Sequence, residues 1–312
     1  MALYLVTGGA GFIGSHIVEE LARRGERVRV LDNFSTGRRA NLQSEIEVIE
    51  GDIRDRETAR RAMAGVDYVL HQAAVASVQS SVADPPTTNE VNVTGTLNVL
   101  IAAREAGVKR MVYASSAAVY GNHPALPKRE DMPTETLSPY AASKLAGEAY
   151  CRAFCEVYGL PTVALRYFNV FGPRQDPNSQ YAAVIPKFIT RMSQGKRPVI
   201  HGDGLQSRDF IYVANVAQAN LLACQAQAAV GQVCNVASGK QINLLDLVGT
   251  LNQVMGIDLQ PDFDAPAPGD VKHSVADVSR LRELTGWEEQ VSFAEGLRRT
   301  VEWYAGKTET KG

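Results

Sequence analysis

The chain has 312 residues, room for a large core and for one big domain or two closely joined ones. It is 45% hydrophobic and 21% charged, the balance of a soluble globular protein, and its net charge of −2 excludes a broad basic field for nucleic acid or an anionic membrane. No apolar run reaches the ~18 residues that suggest a membrane span.

The first expected element is the strand 3–7, LYLVT. MALYLVTGG has no basic stretch ahead of this apolar run, so it reads as a strand and not as a signal peptide. The strand runs directly into TGGAGFIGSH, where Gly8, Gly11 and Gly14 follow the spacing G-x-x-G-x-x-G. A tight turn, close approach of a pyrophosphate and close helix–strand contact all require residues without side chains. The pyrophosphate then sits on the N-terminus of the helix 12–24, at Phe12 and Ile13. The second strand, 27–31, ends at Asp32, whose carboxylate suits the adenosine ribose hydroxyls and repels a 2′-phosphate; the expected cofactor is NAD rather than NADP. Arg38 and Arg39, just beyond, read as a solvated loop.

Further strands at 46–50, 67–71, 110–115 and 162–168 alternate with helices at 55–64, 87–106 and 140–158. Strand–helix–strand repetition gives a parallel sheet covered on both faces, the doubly wound Rossmann plan of the α/β class. The third strand ends in GDIRD, which puts Asp52 and Ile53 beside the adenine. The fourth ends in HQAA, which brings Gln72, Ala73 and Ala74 to the topological switch point. Ser116 closes the fifth strand, in YASSAAVYG. The helix 140–158 opens with SPYAASK, so Tyr140 and Lys144 share one face at i and i+4. An ammonium close to a phenol favours the phenolate. Tyr140 then takes a hydroxyl proton while hydride leaves the same carbon for the nicotinamide, Lys144 holds the nicotinamide ribose, and Ser116 aligns the oxygen.

After about residue 170 the rhythm breaks. Gly, Pro and Asn increase in FGPRQDPNSQY, and the elements shorten. This half is expected to be a smaller mixed α/β substrate-binding domain, 171–312, against a NAD-binding domain, 1–170. A helix near 213–228, within 207–238, returns to pack on the sheet, and the tail 306–312 reads as disordered. Cys151, Cys155, Cys224 and Cys234 form no disulfide or zinc pattern. They read as free, buried thiols of a cytoplasmic protein, and no metal is expected.

These residues resemble the extended short-chain dehydrogenase/reductase family over nearly the whole chain, through NVTGTLNVL, LRYFNVFGPRQ, SRDFIYV and PGDVKHS as well as the motifs above. Within it the chain is similar to the UDP-hexose 4-epimerases, especially the bacterial branch acting on UDP-N-acetylglucosamine, through GNHPALPK and YAAVIPKF. The resemblance implies tightly held NAD⁺, transient oxidation at sugar C4, rotation of a 4-keto intermediate and hydride return to its other face. It implies a homodimer through the helices 87–106 and 140–158. It adds Asn33, Asn92 and Tyr167 to the cofactor site and Ala76 and Ser77 to the sugar edge. It puts Asn169 and Arg208 on the diphosphate, Val184, Ile185 and His201 at the uracil, and Asp270 on the uridine ribose. Arg208 also has its own warrant, since a guanidinium fork suits phosphate oxygens. Ser274 occupies the family's sugar-pocket gate, where tyrosine blocks an N-acetyl group and a small residue admits it.

Ala117 and Ala118 follow Ser116, and alanine moves no proton, so the acid–base pair of dehydratase relatives and the glutamate of decarboxylase relatives are missing. Relatives with an arginine three places before Asp270 differ from this chain, which has Ala267. Two rival readings stand: a UDP-glucuronate 4-epimerase, and a non-catalytic NAD-binding regulatory protein on the same fold.

Overall fold

The computed structural model describes residues 1–177, 183–265 and 272–309. Seven parallel strands form the main sheet, in the spatial order β3, β2, β1, β4, β5, β6, β11. They are β1 (Leu3–Thr7), β2 (Arg27–Asp32), β3 (Glu47–Glu50), β4 (Tyr68–His71), β5 (Arg110–Ser116), β6 (Thr162–Tyr167) and β11 (Val233–Val236). Every residue of β1 and of β6 is buried, which is why both read as unbroken apolar runs rather than alternating ones.

Helices cover both faces. On one, α1 (Phe12–Arg23) and α8 (Val213–Gln225) bury Ile17, Val18 and Leu21 against Val216, Ala217 and Leu221, with Trp287 beside them. On the other, α2 (Arg56–Ala62), α5 (Thr96–Glu105) and α6 (Pro139–Tyr158) bury Ala59, Val99, Leu100, Cys151 and Phe154. Each large side chain fully buried in this way contributes roughly 1.5–3 kcal/mol. The long α6 has clean ends. The Ser138 hydroxyl accepts from the Ala141 N–H at 3.1 Å, Pro139 stands in the first turn, and Gly159 stops the helix at φ 68°.

The expected helix 87–106 is a composite. After α3 (Val78–Ala83), α4 (Pro85–Asn89) leads into a π-helical stretch, Glu90–Gly95, and then into α5. The wider turn carries the buried Asn92, whose amide accepts from Val75 N–H at 2.8 Å and donates to Val75 O at 3.1 Å and Ser143 Oγ at 2.9 Å. Ser143 Oγ in turn donates to the Tyr140 carbonyl at 2.8 Å. An unpaired sequence of polar residues in an apolar helix thus becomes a brace for the start of α6.

The later half forms short pairs: β7 (Asn169–Phe171) with β10 (Phe210–Tyr212), β8 (Val199–His201) with β13 (Asp262–Asp264), and β9 (Ser207–Arg208) with β12 (Ile242–Asn243). They pack with α7 (Val184–Met192), α9 (Leu244–Met255) and α11 (Phe293–Glu309) around Phe171, Ile185, Phe188, Phe210, Leu247 and Leu297. The helix α10 (Ser279–Thr285) packs back toward the main sheet, burying Leu281 in the same core as Trp287.

One strand has no counterpart among the expected ones, and one expectation needs correcting. The seventh strand, VCNV, falls within 207–238, the stretch expected in part to pack back on the sheet; four residues with a buried asparagine third carry too little periodicity to announce a strand. The tail expected to be disordered from residue 306 continues α11 to Glu309. Among the described residues, no helix is long and apolar enough to cross a membrane.

Candidate active site

At the nucleotide end the chain is folded for close approach. Gly8 has φ 67°, and a Cβ there would stand 2.7 Å from the Ala73 nitrogen. A Cβ on Gly14 would stand 2.2 Å from the Gly8 carbonyl oxygen. Gly11 caps α1 without a side-chain hydrogen bond and no acidic residue stands in the first turn, so the amides at Phe12 and Ile13 meet no carboxylate of their own helix. An uncapped helix N-terminus of this kind suits a phosphate. Asp32, at the end of β2, is buried; its carboxylate accepts from Ala10 N–H at 2.9 Å and Phe34 N–H at 2.8 Å. Those bonds fix its orientation, and lone pairs remain for ribose hydroxyls. The cradle fits a dinucleotide.

Around it, Asn33 Nδ2 donates to Asp52 at 2.9 Å, and the Arg54 guanidinium beside Asp52 holds its carboxyl down at about 2. Ile53 is buried under Gly95, where a Cβ would come within 2.7 Å of it. Arg38 and Arg39 are exposed, as a solvated loop requires, and Arg38 makes a surface ion pair with Asp176 of the segment after β7 at 3.1 Å. Gln72 and Tyr167 meet across the sheet at 3.1 Å, and both bond Asn220 of α8, at 3.1 and 2.9 Å.

His71 is buried between two hydroxyls, Thr7 Oγ1 at 2.6 Å and Thr96 Oγ1 at 3.0 Å. Burial, with the Lys144 charge second, pushes it down to about 3. Between pH 6.5 and about 3 the unfolded chain binds a proton here that the folded chain refuses. Stability therefore falls as pH drops through that window, by up to ~1.4 kcal/mol per pH unit. The urea midpoint should fall between pH 7 and pH 5, and fall less in His71→Gln; equal drops in both proteins would clear His71 of the effect.

The catalytic candidates meet where β5 ends and α6 begins. Tyr140 and Lys144 share a face of α6, with Lys144 Nζ 5.9 Å from the Tyr140 ring centre. The Ser116 hydroxyl lies within hydrogen-bonding reach of the phenol. The expected electrostatics are different, however. Burial raises the Tyr140 phenol above its usual value, and the bond from Ser116 recovers part of that rise. Lys144 spends its ammonium on the Ala114 carbonyl at 2.9 Å, and burial lowers it to about 8. In the protein alone the phenol keeps its proton at neutral pH. The i, i+4 spacing identifies these neighbours, but only the fold shows a backbone carbonyl holding the lysine.

Behind them lies a cluster that sequence reasoning missed. Glu148 continues the Tyr140–Lys144 stripe one further turn along α6 and forms a buried, bidentate pair with Arg166 of β6, at 2.9 and 2.7 Å. Ser115 Oγ also donates to Glu148, and the Arg166 guanidinium lies 4.7 Å over the Tyr120 ring. Two signals were available: the third residue at spacing four, and a lone arginine inside the apolar run TVALRY. Broken on one side, such a pair leaves an uncompensated buried charge.

Five of the substrate candidates come together. Asn169, Val184, Ile185, His201 and Arg208 line one cavity of about 310 Å³, with Phe171, Phe210 and Leu244 as apolar wall. Arg208 is held by the Ser207 carbonyl at 2.8 Å, and His201 stands exposed, 3.8 Å from Asp264. Ser274 is half-buried in the irregular segment beside β9, its N–H on Ser207 O at 3.1 Å. Ala76 is exposed, and Ser77 caps α3 by accepting from Ser80 N–H at 3.1 Å. Ala74 is half-buried beyond β4. Asp270 and Ala267 lie outside the described residues.

Comparison with known proteins shows the family. The family described as NAD dependent epimerase/dehydratase matches residues 4–237. A solved UDP-N-acetylglucosamine 4-epimerase from Methanobrevibacter ruminantium M1, in complex with UDP-N-acetylmuramic acid, is 43% identical at a TM-score of 0.94, covering 98% of this chain and 99% of that one. A UDP-glucose 4-epimerase from Thermotoga maritima with UDP-glucose is 38% identical at a TM-score of 0.94, with the same coverage of 98% and 99%. A UDP-glucose 4-epimerase of Mycolicibacterium smegmatis is 40% identical over 98% of this chain and 99% of its own length.

Proposed function

Since the chain belongs to the NAD-dependent epimerase/dehydratase family, we propose that it is a UDP-sugar 4-epimerase, interconverting UDP-GlcNAc with UDP-GalNAc and also UDP-Glc with UDP-Gal through a 4-keto sugar. The observation that carries this reading is the phenol of Tyr140 within reach of Ser116 on a chain whose next residues are Ala117 and Ala118. One proton can be moved there, and no second acid–base pair stands beside it to eliminate water or assist loss of a carboxylate. Bound NAD⁺ supplies reversible hydride acceptance and a positive ring. Tyr140 Oη takes the C4 hydroxyl proton and returns it. Ser116 holds the same oxygen. Lys144, charged over most of the neutral range, turns from the Ala114 carbonyl toward the cofactor ribose and the phenol. The apolar cavity with Arg208 and Asn169 at its polar edge suits a base and a diphosphate.

The same reading extends to a homodimer through the helices 87–106 and 140–158, supported by the exposed Tyr150, Val157 and Tyr158 on α6. It extends to a cytoplasmic setting, supported by four free thiols, and to a division near residue 170 between cofactor and substrate parts.

Ser274 tests the choice of sugar. It is small, and its neighbour His273 is tied to Ser207 Oγ at 2.9 Å, so a bulky side chain at 274 sits on an anchored segment. Overpacking of this kind costs ~1–3 kcal/mol, roughly ten- to a hundredfold in rate. In Ser274→Tyr the loss of kcat/KM should fall on the N-acetylated pair and largely spare the plain hexoses. Equal losses on both pairs, or none, would remove Ser274 as the gate.

A further inference from the structure

Resting on the UDP-sugar reading, we infer that Gln206 selects the base of the nucleotide: its side-chain amide pairs with the imide edge of uracil and disfavours cytosine. Gln206 lines the cavity that holds Asn169, Val184, Ile185, His201 and Arg208, and it is 9% exposed. Its Nε2 donates to the His201 carbonyl at 2.5 Å. A carbonyl oxygen only accepts, so this contact fixes which end of the amide is nitrogen. The oxygen, Oε1, is left on the other side, shielded from water and without a donor. Buried acceptors without partners are rare in folded proteins, and one on a cavity wall points to a donor that arrives with the ligand.

The chemistry of that donor is restricted. The walls are apolar, from Val184, Ile185, Phe210 and Leu244, and suit a flat ring. A ring that satisfies Oε1 must present an N–H on its edge. Uracil does so at N3, between two carbonyls, and one of those carbonyls can take the second N–H of Nε2. Cytosine held in the same pose presents a lone pair at N3, which faces Oε1 as acceptor against acceptor, and meeting Oε1 with its N4 amine instead requires the ring to shift along the amide edge. The terminal torsion of glutamine is broad, so a modest turn of the amide brings Oε1 toward the ligand. Gly202, at φ 95° and without a Cβ beside Nε2, leaves room for that turn.

The test is calorimetric binding of UDP, CDP and N3-methyl-UDP to the NAD-loaded protein and to Gln206→Leu. The wild type should bind UDP roughly ten- to a hundredfold more tightly than either analogue. Gln206→Leu, with its NAD content intact, should bind UDP and CDP within about threefold of each other. N3-methyl-UDP removes the donor from the ligand, so the wild type alone decides the matter if the variant fails to fold. Equal binding of UDP and N3-methyl-UDP by the wild type, or an undiminished preference for UDP over CDP in Gln206→Leu, would overturn the role of Gln206 and leave the UDP-sugar reading standing. Failure of the wild type to bind UDP at all would overturn both.

Discussion

Tyr140→Phe should keep the fold and the bound NAD but lower turnover by ~10²–10⁴, the usual worth of a positioned acid–base group. The substitution removes one oxygen. The hydrogen bonds that brace the start of α6 use other atoms: Tyr140 N–H to Ser81 Oγ at 3.0 Å, and Ser143 Oγ to the Tyr140 carbonyl at 2.8 Å. The ring stays packed, and the loss is chemical. Burial holds the phenol above its ordinary value, so in the wild type its action as a base depends on positive charge brought close to it. Lys144→Met should therefore also lose turnover, with a weaker hold on NAD. Measuring kcat together with extracted NAD separates the two effects. Near-normal turnover by Tyr140→Phe would end the proposed chemistry.

Gly14→Ala should yield protein without NAD. The added Cβ falls 2.2 Å from the Gly8 carbonyl oxygen and 2.9 Å from Gly9 Cα, and both are backbone. Neither can swing aside as a side chain would. Either α1 retreats from the loop or the loop opens, and both movements spoil the cradle at Phe12 and Ile13. Gly25 is the control: it has open space where its Cβ would stand, but φ 76°, so alanine there strains the turn after α1 and leaves the cradle intact. Gly14→Ala is expected to lose at least ~100-fold in NAD affinity, Gly25→Ala to lose stability and keep NAD. Retention of NAD by purified Gly14→Ala would show that the loop tolerates what its geometry forbids.

Much of this site was legible in the sequence, because its signals are local. A strand, three glycines and a helix lie within a dozen residues, and Asp32 ends the very next strand. Tyr140 and Lys144 are one helical turn apart. What stayed hidden depends on contacts between distant segments. The pairing of Glu148 with Arg166, of Arg38 with Asp176, and of Gln72 and Tyr167 with Asn220 each joins separate elements. So does the hold of the Ala114 carbonyl on Lys144, while the rise of the Tyr140 phenol comes from its burial. The π-helical turn at Glu90–Gly95 has no periodicity distinct from an α-helix, and only the inward bonds of Asn92 reveal its purpose. The strand β11 is short, so although the helix before it is expected to return to the sheet, nothing in its four residues marks them as the sheet's edge.

The most direct test of the 4-epimerase reading is C4 inversion by the purified, NAD-loaded protein across a panel of UDP-glucose, UDP-galactose, their N-acetyl forms and their uronates. The expected result is interconversion of UDP-GlcNAc and UDP-GalNAc, with the plain hexoses also turned over and no net reduced cofactor accumulating at 340 nm. Turnover confined to the uronates would contradict the proposed substrate, and no inversion of any sugar by NAD-loaded protein would contradict the enzyme itself.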